Sequence, residues 1–216
     1  PRIQAVMFTG STGTGTQISQ TLAERGGPQV PLIAETGGQN CMIVDSTALP
    51  EQGVDDVIAS GFQSAGQRCS ALRVLFIQEE IADKVTTMLK GAMAELTVGD
   101  PSLLSTDVGP VIDDKALTAL NDHVEFLQDK AKLIYQCQLP ATATSGHFFF
   151  APRLYEIENL SVLRDEVFGP CVHIVRFKGD QLDNVVKQIN GTGFGLTMGI
   201  HSRIESRAAY LAKASK

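Results

Sequence analysis

Residues 66–77 read GQRCSALRVLFI, a polar loop that carries Cys69 and leads into an apolar run. The run over 71–77 predicts a buried strand. A thiol is a nucleophile only as the thiolate, which needs a partly polar setting near a cation or a helix dipole. Gln67 and Arg68 supply such a setting, whereas most cysteines inside intracellular proteins are small buried hydrophobes. On these residues alone, both interpretations of Cys69 stay open.

Strand and helix patterns alternate on both sides of this loop. Apolar spacing over 49–63 predicts a helix that delivers the chain to Gly66, and Gly-Pro breaks separate several later elements. Alternation of this kind predicts an α/β fold with a sheet of parallel strand pairs. The predicted strands cover 41–44, 132–137, 153–157, 172–177 and 196–201, and the other predicted helices cover 79–95, 113–130, 180–189 and 204–214.

The beginning of the chain predicts a strand, a glycine-rich turn and a helix. Residues 4–8 have the pattern of a short buried strand, residues 9–15 read TGSTGTG, and an amphipathic run covers 17–25. Ser11 and Thr12 can cap the helix, and free amides at its start can face a phosphate such as a pyrophosphate. The spacing is not a complete Gly-x-Gly-x-x-Gly fingerprint, so an ordinary capped turn is the alternative.

A segment that carries a carboxylate follows the strand pattern at 31–34. Glu35 ends that strand, and Thr36-Gly37-Gly38 breaks it before the next apolar run. An acid between a buried strand and a double-glycine turn can be a general base if desolvation raises its pKa. It can equally be a solvated loop charge.

Composition excludes several classes of protein. The chain has 216 residues, of which 43% are hydrophobic, so it can bury a sizeable core. Its net charge is −6 and it has no basic run, which argues against nucleic-acid binding. The apolar runs are too short to cross a membrane. An aromatic run at 148–150 predicts edge or core packing.

Cysteine and histidine positions predict neither disulfides nor a metal site. Cysteines 41, 69, 137 and 171 show no Cys-x-x-Cys spacing, which favours a reducing compartment and hence the cytoplasm. His123, His147 and His173 are interpreted as polar loop residues and not as ligands.

Four ordered motifs together resemble the NAD(P)-dependent aldehyde dehydrogenase superfamily. They are FTGSTGTG at 8–15, ETGG at 35–38, GQRC at 66–69 and EVFGP at 166–170. The separation of Glu35 and Cys69 is also similar to that of the family. Within it, the segment ETGGQNCMIVDSTAL at 35–49 is similar to the L-glutamate γ-semialdehyde dehydrogenase module of bifunctional proline utilisation A. Gln39 stands where many aldehyde dehydrogenases have lysine, which fits this subgroup.

The resemblance implies a role for each motif. Cys69 is expected to attack the aldehyde, and Glu35 to activate the water that hydrolyses the resulting thioester. Ser70 and Arg68 are expected to contact the substrate. NAD is the expected cofactor, and its expected contacts are Gly10, Ser11, Gly15, Thr36, Glu166 and Phe168.

The resemblance also implies a domain division and a larger protein. Residues 1–36 correspond to the C-terminal part of a Rossmann-like NAD-binding domain, and 37–216 to a catalytic domain that carries the thiol and is truncated at its C-terminal end. The chain is therefore expected to be an inactive fragment of a homo-oligomeric parent enzyme with a proline dehydrogenase module upstream. That parent would oxidise L-glutamate γ-semialdehyde to L-glutamate. Another aldehyde substrate, or a non-catalytic structural or interaction module, are the alternatives.

Overall fold

The computed structural model describes residues 3–139 and 148–216, which form two compact units. The N-terminal unit is Pro1–Gly38 and the C-terminal unit is Gln39–Lys216. The predicted loop over 140–146 and His147 lie outside the described residues. The functional assignment of the two predicted domains, 1–36 and 37–216, stays a prediction.

The N-terminal unit is a single strand-helix-strand element. Strand β1 (Val6–Thr9) pairs in parallel with β2 (Leu32–Glu35), and helix α1 (Thr12–Glu24) connects them. The predicted strand at 4–8 is thus confirmed, but its predicted burial is wrong, because Met7 is 81% exposed. Helix α1 begins at Thr12 and not at 17, because Ser11 caps it and its Oγ accepts a hydrogen bond from the Thr14 amide.

The C-terminal unit contains a six-stranded sheet with the order β5-β6-β7-β4-β3-β8. All neighbouring pairs are parallel except the antiparallel pair at the β5 edge. The predicted α/β fold with a parallel sheet is therefore confirmed. The strands are β3 (Cys41–Val44), β4 (Val74–Gln78), β5 (Ala131–Gln136), β6 (Arg153–Ile157), β7 (Cys171–Phe177) and β8 (Met198–His201).

Helices cover both faces of this sheet. Because side chains alternate across a strand, Met42 and Val44 join one apolar cluster while Cys41 and Ile43 join the other. The first cluster includes residues of α2, α3 and α4, and the second includes residues of α5 and α6. The helices are α2 (Pro50–Phe62), α3 (Glu79–Ala94), α4 (Asp114–Leu127), α5 (Leu182–Gly191) and α6 (Glu205–Ala214).

Two further predictions differ from the structure. Strand β4 begins at Val74 and not at Ala71, because the Leu72 amide is bonded to Ser60 at the end of α2. The interpretation of His123 and His173 as loop residues is wrong: His123 lies in α4, and His173 lies in β7 with 0% exposure. In the aromatic run, Phe150 is buried in the first apolar cluster, which confirms the predicted packing.

Candidate active site

The motif residues of the C-terminal unit meet at the amino ends of the parallel strands. The Cys69 loop precedes β4, and the segment 166–170 precedes β7. Strand register brings these loops to one edge, since Val74 pairs with both Cys41 of β3 and His173 of β7. The candidate site is therefore built from loops that enter the sheet.

A tight backbone turn brings the Cys69 loop against the Glu166 segment. Ser64, Ala65 and Gly66 all have positive φ, at 57°, 51° and 64°. A Cβ atom on Gly66 would lie 2.2 Å from the carbonyl oxygen of Gly169. Only glycine fits this close approach, which explains the glycine of the GQRC motif.

Arg73 joins the two loops through a buried guanidinium. Its side chain donates hydrogen bonds to the carbonyl oxygens of Gly66 (2.7 Å), Arg68 (3.0 Å) and Gly169 (3.2 Å). It also contacts Glu166 Oε1 at 3.4 Å, and its Cζ lies 5.3 Å from the centroid of the Phe168 ring. Burial lowers the pKa of Arg73, and the negative charge of Glu166 opposes that shift. Paired in this way, the cation holds the Cys69 loop and the Glu166 segment together.

Asn40 holds the backbone on both sides of the cysteine. Its Nδ2 donates to the carbonyl oxygens of Cys69 (2.6 Å) and Ala71 (2.8 Å), and its Oδ1 accepts from the Thr197 amide (3.2 Å). The side chain is buried, with 4% exposure. Each such bond contributes about 0.5–1.5 kcal/mol, and an unsatisfied buried amide would cost more. Asn40 therefore fixes the position of the Cys69 backbone.

Exposure distinguishes Cys69 from the other thiols. All four cysteines are free, and Cys69 alone is not buried. Burial raises the pKa of Cys41 and Cys171 to about 12 and that of Cys137 to about 11. Those three thiols stay protonated near neutral pH, so Cys69 is the thiol available for nucleophilic chemistry.

The neighbours of Cys69 serve different purposes. Gln67 Oε1 accepts from the Ile112 amide at 2.8 Å, which ties the loop to the segment before α4. Arg68 Nη2 donates to the carbonyl oxygens of Ala59 and Ser60, both at 3.0 Å, at the end of α2. Ser70 is exposed. The substrate-binding roles of Arg68 and Ser70 stay predictions. The Arg68 guanidinium already binds the carbonyl oxygens at the end of α2.

Glu166 and Phe168 line a cavity of about 470 Å³ beside α4. Phe168 is 44% exposed, whereas the Glu166 carboxylate is 15% exposed and bonded to Arg73. Both side chains are thus presented at a concave surface, which is compatible with their predicted cofactor contacts. The cavity is lined by Ala116, Ala119, Leu120, Asp122, His123, Phe126, Arg164, Asp165, Glu166, Val167 and Phe168.

The other predicted site residues form the turn of the N-terminal unit. A Cβ on Gly15 would lie 3.1 Å from the Thr36 methyl group, so α1 packs closely on the chain after β2. Gly10 donates its amide to the Glu35 carbonyl at 3.1 Å. Space is open where a Gly13 side chain would be, and no acid occupies the first turn of α1. These features fit a helix start that accepts a phosphate.

The structure brings the Cys69 loop together with Glu166 and Phe168, in the C-terminal unit. Glu35 and the glycine-rich turn belong to the N-terminal unit, so the convergence of Glu35 and Cys69 on one cavity stays a prediction. Sequence reasoning missed Arg73 as the residue that links the loops. A charged residue inside an otherwise apolar run was the available signal, because a buried charge requires partners.

Comparison with known proteins assigns the family. The profile of the aldehyde dehydrogenase family matches residues 1–216. Bifunctional PutA of Klebsiella aerogenes is 47% identical over 222 residues, covering 100% of this chain and 17% of that protein. A 1-pyrroline-5-carboxylate dehydrogenase of Geobacillus kaustophilus is 31% identical, covering 94% of this chain and 39% of that protein.

Solved structures agree with these sequence comparisons. A crystal structure of bifunctional proline utilization A is 48% identical with a TM-score of 0.94, covering 99% of this chain and 22% of that one. A betaine aldehyde dehydrogenase from Staphylococcus aureus, solved in complex with NAD+, is 26% identical with a TM-score of 0.90, covering 99% of this chain and 43% of that one. In the part of the chain that the structure describes, no helix is long and apolar enough to cross a membrane. The chain spans about a sixth of the PutA relative from Klebsiella aerogenes, and it belongs to the aldehyde dehydrogenase family.

Proposed function

We propose that this chain carries the thiol nucleophile and the general base of an enzyme that oxidises L-glutamate γ-semialdehyde to L-glutamate with NAD+. The observation that carries the proposal is the position of Cys69, a partly exposed thiol on a loop held by the buried side chains of Asn40 and Arg73. Similarity to the PutA proteins and to 1-pyrroline-5-carboxylate dehydrogenases supports this substrate over other aldehydes.

The reaction starts at the sulfur of Cys69. The thiolate attacks the aldehyde carbon, and the oxyanion of the resulting thiohemiacetal is stabilised by backbone amides such as that of Cys69. NAD+ would supply the hydride acceptor for this carbon, which loses hydride to become the carbonyl of a Cys69 thioester. Glu35 then takes one proton from water, the resulting hydroxide attacks the thioester carbon, and the C–S bond breaks to release the carboxylic acid and the Cys69 thiolate.

The remaining motif residues hold the cofactor. Gly10, Ser11, Gly15 and Thr36 are placed at and beside the start of α1, where backbone amides and the helix dipole favour a pyrophosphate. Glu166 would accept a hydrogen bond from the nicotinamide ribose, and Phe168 would pack beside it. Because Arg73 bonds both Glu166 and the carbonyl groups of the Cys69 loop, it fixes the position of Glu166 relative to that loop.

Rapid-mixing kinetics on the complete protein test the two chemical roles. Cys69→Ala is expected to abolish NADH formation, while Glu35→Gln should give a burst of about one NADH per site followed by slow turnover, because the thioester accumulates. Cys137→Ser is the matched control, since that buried thiol lies away from the loop, and it should turn over like the wild type. Unchanged steady-state turnover in Cys69→Ala or in Glu35→Gln would remove that residue from its role.

Substrate and cofactor choice need a separate comparison. A succinate-semialdehyde dehydrogenase of Escherichia coli that uses NADP+ is 32% identical to this chain and covers 99% of it. We expect kcat/KM to be higher for L-glutamate γ-semialdehyde than for succinate semialdehyde. We also expect it to be higher with NAD+ than with NADP+. A higher kcat/KM for succinate semialdehyde would contradict the proposed substrate but not the proposed aldehyde dehydrogenase activity.

The complete polypeptide is also proposed to carry a proline dehydrogenase module and to work in the cytoplasm as a homo-oligomer. The relatives named bifunctional, of which this chain covers 16–18%, support the additional module, and the four free cysteines support a reducing compartment. We expect mass spectrometry of the complete polypeptide to give an intact mass well above that of a single dehydrogenase. The same polypeptide should also oxidise proline. A polypeptide with dehydrogenase activity toward aldehydes alone would contradict it.

A further inference from the structure

Three side chains with metal-binding atoms meet between α4 and β7, next to the segment 166–170 but outside the predicted site residues. His123 Nε2 lies 2.9 Å from His173 Nε2, and Cys171 Sγ lies 3.6 Å from the same His173 atom. All three atoms lie within 4.8 Å of one another. Cys171 and His173 have 0% exposure, while His123 is partly buried and lines the 470 Å³ cavity. We call these three residues the His-His-Cys cluster.

Hydrogen bonding orients the central histidine for coordination. His173 Nδ1 lies 3.0 Å from the Arg73 carbonyl oxygen, which can only accept, so Nδ1 carries the proton. Burial lowers the pKa of both His173 and His123. With the proton on Nδ1, His173 Nε2 is an acceptor, and its lone pair faces His123 Nε2 and Cys171 Sγ. A carbonyl behind the far ring nitrogen is the usual support of a metal-bound histidine.

We propose that the His-His-Cys cluster binds a divalent zinc ion through His123 Nε2, His173 Nε2 and Cys171 Sγ. Two imidazoles and a thiolate are a donor set that zinc prefers. Ideal tetrahedral zinc would separate two such nitrogens by about 3.3 Å and a nitrogen and a sulfur by about 3.6 Å. The Cys171–His173 spacing of 3.6 Å already agrees, whereas His123 Nε2, at 2.9 Å from His173 Nε2, would have to move away from that atom by about 0.4 Å to reach the tetrahedral separation.

Binding changes the protonation of two ligands in a defined way. Cys171 loses its proton to solvent and forms the Zn–S bond. His123, whose Nε2 donates to His173 in the metal-free form, instead carries its proton on Nδ1, so one proton is released for each ion. Burial raises the pKa of Cys171 to about 12, and the charges of Arg153 and Arg73 act against that shift. The ion would link α4 to β7, and water from the neighbouring cavity would fill the fourth position.

Cobalt substitution tests the site without reference to enzyme activity. The complete protein, in a Cys69→Ala background that removes the exposed thiol, is freed of metal and titrated with Co²⁺. We expect near-ultraviolet absorption from thiolate-to-cobalt charge transfer and visible bands of four-coordinate cobalt. One proton should be released for each ion bound. Competition with Zn²⁺ should then remove the bands, because zinc binds more tightly than cobalt.

Matched variants identify the ligands. Cys171→Ser should lose the charge-transfer band, and His123→Gln, at the partly exposed position, should weaken Co²⁺ binding at least about tenfold. Cys137→Ser and His201→Gln are the controls, because they change a buried thiol and a histidine outside the cluster. Absence of the charge-transfer band in the background protein, or its persistence in Cys171→Ser, would overturn the proposal and leave a hydrogen-bonded network of neutral groups.

Discussion

At the scale of single residues, Arg73 connects most of the candidate site in the C-terminal unit. Its guanidinium is 1% exposed and contacts three carbonyl oxygens and one carboxylate. A buried cation is tolerated only when it has partners, and the loop carbonyls and Glu166 bond both terminal nitrogens of Arg73, while its buried Nε has no partner among the described residues. Removing the cation therefore affects both folding and the geometry around Cys69.

Arg73→Met is expected to lower the free energy of unfolding by about 3 kcal/mol, because Glu166 and the loop carbonyls lose a shared partner. Urea unfolding measures the change, and the rate of Cys69 alkylation by iodoacetamide reports the loop. Arg176→Met is the control: this arginine pairs with Glu156 and Asp83 at a more exposed position, so its loss should cost about 1 kcal/mol or less. Equal losses in the two variants would contradict the linking role of Arg73.

The thiol of Cys41 should make stability fall at alkaline pH. Burial raises its folded pKa from 9.0 to about 12, so above pH 9 the unfolded chain releases a proton that the folded chain retains. The free energy of unfolding should therefore decrease between pH 9 and pH 12, by up to about 1.4 kcal/mol per pH unit from this residue.

Cys41→Ser retains a donor for the Gln39 carbonyl, which Cys41 Sγ bonds at 3.2 Å, and has no group that titrates in this range. Urea unfolding at several pH values should show a shallower decrease for the variant than for the wild type. Parallel curves would show that the Cys41 thiol does not resist ionisation in the folded protein.

At the scale of elements, the turn between α2 and β4 is shaped by close backbone approach. Gly66 combines a φ of 64° with a virtual Cβ 2.2 Å from the Gly169 oxygen. The turn and the Glu166 segment thus contact each other through their backbones. Glycine is required at position 66 both because φ is positive and because a Cβ atom would clash with Gly169.

Gly66→Ala should lower the free energy of unfolding by at least about 1–3 kcal/mol, the usual cost of one strained backbone position. It should also slow NADH formation in the complete protein, because the two loops must separate. Gly91→Ala in α3 is the matched control: no atom lies within 4 Å of its virtual Cβ, and alanine should stabilise the helix by about 0.5–1 kcal/mol. Thermal or urea unfolding measures whether each variant is less or more stable than the wild type. An unchanged free energy of unfolding in Gly66→Ala would contradict the close backbone approach.

At the scale of the whole molecule, the core is contained in the C-terminal unit. Every buried or partly buried member of the two apolar clusters lies between Cys41 and Ala214. The six-stranded sheet also lies entirely within Gln39–Lys216. A chain that begins at Gln39 retains every strand and every described core residue of this unit.

Residues 39–216 expressed alone are therefore expected to fold cooperatively, since hydrophobic burial provides most of the stability of a domain. Circular dichroism during heating should show a single sharp transition, and the amides of β3, β4 and β7 should be protected from hydrogen exchange. Replacement of core residue Ile43 by aspartate provides an unfolded reference. A gradual transition like that of the reference would show that residues 1–38 are required for folding.

The sequence by itself determined the family, the alternation of strands and helices, and the motif that carries Cys69. These features depend on local spacing, apolar periodicity and motif order, all of which can be read along the chain. Only the tertiary structure decided which distant residues share an environment. Arg73 reaches Glu166, and His123 reaches His173, because strand register places segments far apart in sequence side by side. Burial, and with it the shifted pKa of the three buried thiols and of His123 and His173, follows from that packing and not from the neighbours of a residue along the chain.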